Sequence, residues 1–217
     1  MLTAFTASLL LITISELGDK TFFIAVILAM RHSHRLVFSA VIAALSLMTI
    51  LSVLLGQAVS LLPKIYTHYG TIALFLIFGV KLIYNALRMP IESDCAVVKE
   101  AEETVEMQES DKSWGKTLGG LGRFLSHYPQ LGTWVQAFVM TFLAEWGDRT
   151  QISTIALAAS YNPIAVTIGA ILGHAICTVI AVIGGRLIAG RISERTITGI
   201  GGLLFLIFGV TTYYQGV

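Results

Sequence analysis

Glu16-Leu17-Gly18-Asp19-Lys20-Thr21 interrupts an otherwise apolar run from Leu2 to Met30. The pattern returns as Glu145-Trp146-Gly147-Asp148-Arg149-Thr150, inside another apolar run. A helix needs roughly 20 apolar residues to cross the hydrocarbon core of a bilayer, so each hexapeptide places three ionisable side chains at membrane depth. A charge at the bilayer centre costs about 2.5–3.5 kcal/mol on insertion scales. Two acid pairs kept there, in matched positions, point to a site.

The composition around these motifs fits a membrane protein. Of 217 residues, 55% are hydrophobic and 12% charged, and the mean hydropathy is +0.80. Soluble domains carry about 25% charged residues. Lipid offers no partners to exposed N–H and C=O groups, and the alternation of a membrane barrel strand is absent, so the backbone is expected to be helical. A net charge of +1, with no basic stripe, excludes a nucleic-acid binder. Cys95 and Cys177 lie in a polar loop and an apolar span, which implies no disulfide framework. The apolar run at the amino terminus has no basic region before it and is too long for a signal peptide. It reads as a retained helix.

Six apolar segments are expected, at roughly 2–30, 36–62, 71–87, 134–158, 164–188 and 198–215. The first is long enough to tilt or to be interrupted at Gly18. One long connection, 88–133, holds eight acids against five bases, and its first part reads as a solvated, mobile linker. Connections one, three and five carry Arg31 and Arg35; Arg88, Lys99, Lys112, Lys116 and Arg123; and Arg191 and Arg195. Lys64 stands on the opposite side. By the positive-inside rule the central loop is cytoplasmic and both termini are not.

The chain also repeats. The motif recurs at an offset of 129, and Phe75-Leu-Ile-Phe-Gly-Val80 recurs letter for letter as Phe205-Leu-Ile-Phe-Gly-Val210 at an offset of 130. Three spans per copy is an odd number, so the second copy enters from the other side. The expected fold is an all-α integral membrane protein of six transmembrane helices in two inverted three-helix repeats. Residues 1–87 form the first repeat, 88–133 the linker and 134–217 the second repeat. Inverted repeats place a transport site near the midplane between them.

Within a helix, Glu16 and Asp19 would project from one face, as would Glu145 and Asp148. Gly18 and Gly147 allow close helix approach or local unwinding that frees carbonyls. Four carboxylates with the Thr21 and Thr150 hydroxyls suit a hard divalent cation such as Mn²⁺ or Ca²⁺. Each motif has two acids and one base, so the pair totals −2, which one divalent ion or two protons would neutralise. That is the minimum equipment for cation–proton exchange. The bland alternative is that the acids pair with Lys20 and Arg149 for packing; Glu16 and Lys20 have the i,i+4 spacing, but buried pairs stabilise poorly. His174 reads either as a ligand or proton relay, or as a packing histidine. Ser46, Thr49 and Gln151 could supply neutral oxygens or bond neighbouring helices. The third and sixth segments read as lipid-facing scaffold.

The doubled Glu-x-Gly-Asp-Lys/Arg-Thr/Ser motif, in a six-span chain with an acidic central loop, resembles the Gdt-type cation transporters. The resemblance covers nearly the whole chain outside that loop. It implies transport of divalent cations, chiefly Mn²⁺ and Ca²⁺, in exchange for protons, with Glu16, Asp19, Glu145 and Asp148 as metal ligands. The Lys-Thr-Phe-Phe form at residues 20–23 is similar to the cyanobacterial and organellar branch, which implies a plasma-membrane or thylakoid location. Phe22 stands where many bacterial relatives have Gln, whereas Gln151 keeps that amide in the second copy.

The expected activity is therefore export of Mn²⁺, with Ca²⁺ as a second cargo, against proton entry. No resident cofactor is expected. The expected partners are the divalent cation, the bilayer and, in a homo-oligomer, the chain itself. Two rivals stand beside this reading. One is a LysE-like exporter of another ion or an amino acid, which Lys20 and Arg149 keep open. The other is an intramembrane aspartyl protease with Asp19 and Asp148 as its dyad, although Glu16 occupies the first glycine position of the expected Gly-x-Gly-Asp.

Overall fold

A computed structural model of the chain describes residues 1–89, 94–110, 128–184 and 193–215. Every regular element among them is helical. In order they are α1 (Leu2–Glu16), α2 (Lys20–Arg31), α3 (His34–Val59), α4 (Lys64–Arg88), α5 (Asp94–Ser110), α6 (Pro129–Ala144), α7 (Arg149–Ser160), α8 (Pro163–Val179) and α9 (Glu194–Gln215). A π turn, Ile180–Gly184, extends α8. Among the described residues, four stretches are long and apolar enough to cross a membrane: α3, α4, Pro163–Gly184 and Arg195–Tyr214. The first and fourth apolar segments are instead each divided at their motif, into α1 and α2 and into α6 and α7.

Two apolar clusters organise the packing. One gathers α2, the first half of α3, α5, α6 and the end of the α8 segment, with Phe22, Phe23, Val37, Val41, Met140 and Ala181 among its members. The other gathers α1, α7, the start of α8, α4 and α9, around Leu11, Leu157, Val166, Phe75 and Phe205. The motifs lie where the chain passes from one cluster to the other. From α1 to α2 it leaves the second cluster for the first; from α6 to α7 it travels the opposite way.

Close helix approach depends on small residues. A Cβ added at Gly169 would collide with Ser8, and one at Gly173 would press on Leu9 and Thr13, so α8 sits directly on α1. In the same way Gly202 of α9 leaves room for the Gly79 carbonyl of α4. Small residues let backbones approach where lipid supplies no hydrophobic drive. The repeated hexapeptide belongs to this second contact. Phe75 and Phe205 are fully buried and meet edge to face, with ring centroids 5.8 Å apart. The third and sixth segments are therefore not scaffold on all sides. Ile77, Val80, Leu203 and Val210 face outward, while the repeated phenylalanines join the two copies.

The linker expectation needs correcting for residues 94–110. They form α5, which packs along α2. Ala101 and Val105 are fully buried in the first cluster, with Val98 against it. Their spacing puts an apolar stripe on an otherwise acidic helix, which a count of charges overlooks. Ion pairs flank the stripe, Lys20 Nζ to Glu100 Oε1 at 2.8 Å and Arg31 to Glu106 at 3.5 Å. Residues 111–127 of the linker lie outside the described residues.

Candidate cation site

Each motif is a helix break. After Glu16 the chain turns through Gly18 at φ 77°. The Asp19 N–H donates back to the Glu16 carbonyl at 3.3 Å. Asp19 then caps α2, its Oδ1 accepting from the Lys20 N–H at 2.8 Å. The second motif repeats the break, with the aspartate cap reaching further into its helix. Gly147 has φ 80°, the Asp148 N–H donates to the Glu145 carbonyl at 3.3 Å, and Asp148 accepts from the N–H groups of Thr150 at 3.0 Å and Gln151 at 2.8 Å.

The spacing therefore does not act by placing both acids on one helical face. The glutamate closes one half-helix and the aspartate opens the next, where a carboxylate meets orphan N–H groups and the positive end of the helix dipole. The glycines serve conformation. A Cβ at Gly147 would meet nothing within 4 Å, so its left-handed φ, which a side chain disfavours, is what requires glycine. Of the two roles expected for these glycines, unwinding is the one that Gly147 plays.

Glu16 and Glu145 are each only 3% exposed. With Asp148 they bring one carboxylate oxygen apiece into a group whose members lie within 4.8 Å of one another. Thr21 donates to Glu16 Oε2 at 3.5 Å, and Thr150 to Asp148 Oδ2 at 2.8 Å. Three carboxylates and two hydroxyls, drawn from both motifs, form an oxygen-donor set that suits a hard divalent cation.

Asp19 stands apart from this group. Its Oδ2 accepts from Arg149 at 3.1 Å, and Arg149 also donates to the Ser15 carbonyl at 3.3 Å. Lys20 turns away to Glu100, so the i,i+4 pairing with Glu16 does not form. The break explains this, because Glu16 and Lys20 belong to different half-helices.

The neutral candidates divide. The Gln151 amide completes the second turn, its Oε1 accepting from the Gly147 N–H at 2.7 Å and its Nε2 lying 2.9 Å from Met48 Sδ. Phe22, at the equivalent place, is buried apolar surface. Thr49 donates to the Leu45 carbonyl of its own helix at 2.9 Å. Ser46 is half-buried on α3, and its neighbour Leu45 lines the small cavity beside Glu16 in its place. His174 does meet the motif. Its Nδ1 lies 3.8 Å from Glu16 Oε1, and both atoms are buried without a hydrogen-bond partner. Glu100 is a residue that sequence reasoning missed; the apolar stripe Val98, Ala101 and Val105 was the signal available.

The sequence pattern of the family described as "Divalent cation/proton antiporter GDT1" matches residues 4–90 and 133–217. The chain is 52% identical over 219 residues to the GDT1-like protein sll0615 of Synechocystis, covering 99% of this chain and 98% of that protein. It is 42% identical over 236 residues to the divalent cation/proton antiporter GDT1 of Saccharomyces cerevisiae, covering 99% and 84%. Its identity to the chloroplastic PAM71-homolog of Arabidopsis thaliana is 39% over 220 residues, covering 98% and 59%. No solved structure matches the chain.

Proposed function

This chain belongs to the divalent cation/proton antiporter GDT1 family, and from that premise we propose that it exports Mn²⁺, with Ca²⁺ as a second cargo, from the cytoplasm in exchange for protons. The observation that carries the reading is the convergence of Glu16, Glu145 and Asp148 within 4.8 Å. A divalent ion or protons can neutralise such a group, and a carrier that alternates between the two is an exchanger. Asp19 completes the set of four acids. Because Arg149 holds it at 3.1 Å, its entry requires that pair to open.

The proposed topology has six crossings: α1 with α2, α3, α4, α6 with α7, α8 with its π turn, and α9. Both termini lie on the non-cytoplasmic side and the central connection on the cytoplasmic side. The opposed directions in which the two motif segments pass between the apolar clusters support two inverted repeats. Discontinuous helices at a midplane site are a recurring device of such carriers, and rocking of the halves would expose the site to each side in turn. As a transporter family, the GDT1 antiporters leave no place for the aspartyl-protease reading, and Arg149 holds one member of its dyad.

The test is flux in proteoliposomes under an imposed pH gradient, with a metal-sensitive dye inside. Wild type should move Mn²⁺ and Ca²⁺ when the gradient is applied. Glu16→Gln and Glu145→Gln should reduce both fluxes to background while the protein still inserts. Retained flux in these variants would remove the site, and flux indifferent to the gradient would indicate a uniporter.

A further inference from the structure

We propose that His174 is a nitrogen donor to the cation held at Glu16 and biases the carrier towards first-row transition ions over Ca²⁺. This rests on the carboxylate site proposed above and adds a ligand to it. Helix packing places the imidazole there. Gly169 and Gly173 seat α8 directly on α1, and the Cys177 thiol donates to the Thr13 carbonyl at 3.1 Å. His174 lies between these contacts, level with the end of α1 where Glu16 closes the helix. Thr178, one turn on, donates to the His174 carbonyl at 2.7 Å and leaves the ring alone.

His174 Nδ1 and Glu16 Oε1 face one another at 3.8 Å, beyond hydrogen-bond reach. Both are buried and lack a partner. Buried polar atoms are almost always satisfied, and orphaned ones call for a reason. Two orphans of complementary donor type, set too far apart to bond each other, suit a cation coordinated between them. A small cavity opens beside the pair, lined by Glu16, Thr21, Phe22, Leu45, His174 and Thr178. Leu45 holds the position of His174 in the other repeat at the motif offset, so the nitrogen comes from one half only.

The chemistry of the donor sets the preference. Carboxylates and hydroxyls alone favour hard ions and accept Ca²⁺ readily, whereas imidazole binds first-row transition ions and adds little for Ca²⁺. Glu16 is then shared, with Oε2 beside Thr21 and Oε1 beside the imidazole.

The experiment compares Mn²⁺ and Ca²⁺ transport in reconstituted wild type, His174→Leu, His174→Asn and Glu16→Gln. His174→Leu installs the first repeat's own residue. It should weaken the apparent Mn²⁺ affinity by at least about tenfold, the low end of what losing a supporting partner costs a metal site, with Ca²⁺ affinity little changed. His174→Asn, which offers an oxygen, should also lose the preference for Mn²⁺. Pulsed electron paramagnetic resonance of Mn²⁺-loaded wild type provides a reading that needs no variant, and it should show imidazole nitrogen coupled to the ion. Absence of that coupling, or a parallel change in both cations with His174→Leu, would overturn the nitrogen donor while leaving the carboxylate site intact. Retained flux in Glu16→Gln would overturn both.

Discussion

At the scale of the residue, the motif works through backbone conformation as much as through charge. Gly18 and Gly147 sit at φ 77° and 80°, where an L side chain costs roughly 1–2 kcal/mol. Gly147→Ala meets no steric obstacle, so its cost should be that strain alone. A lowered thermal midpoint in detergent, with a smaller loss for Gly147→Asn because asparagine visits this region, would check the argument. Equal stability of wild type and Gly147→Ala would refute it. The four acids and two glycines were all legible in the sequence as a doubled pattern. Their division of labour was not, because i,i+3 spacing sets two acids on one face only of a continuous helix, and the chain breaks between them. The same break separates Glu16 from Lys20 and frees Lys20 for Glu100.

At the scale of the element, α5 shows how an acidic segment docks. Its ion pair to Lys20 leaves the two side chains 35% and 63% exposed, and such pairs contribute about 0–1 kcal/mol. Glu100→Gln should therefore scarcely alter the proteolytic resistance of the central connection. Ala101→Glu would set an unpaired charge in a fully buried position, a change that costs several kcal/mol, and should release α5 to protease. Comparable cleavage of both variants would mean that α5 is held by charge and not by its apolar stripe. The start of the fifth apolar segment could be read locally, expected near residue 164 and found at Pro163, where the Asn162 side chain accepts from the Ala165 N–H at 3.0 Å. The docking of α5 could not, since it depends on which surface lies opposite Ala101 and Val105.

At the scale of the whole molecule, the two copies are joined by pairings across the repeat. Phe75 meets Phe205, and Arg149 meets Asp19. Phe205→Ala should cost about 3–5 kcal/mol, as large-to-small changes in tight cores do, and lower the thermal midpoint well below that of an outward-facing change such as Ile207→Ala. Similar midpoints for the two would show that this contact does not hold the copies together. The proposed topology predicts that, in a cysteine-free background, a thiol at Ser33 is labelled only from the cytoplasmic side and one at Leu61 only from the other.

The sequence by itself determined that the chain is a helical membrane protein, that it carries one motif twice, and that each motif falls within an apolar segment. These follow from composition, run length and exact recurrence, which act along the chain. Only the tertiary structure decided that Glu16, Glu145 and Asp148 converge, that Arg149 takes Asp19, and that His174 faces Glu16. Those outcomes depend on the direction of each half-helix after its glycine and on how closely the glycines of α8 let it approach α1. Spacing along one chain does not encode such distances between helices.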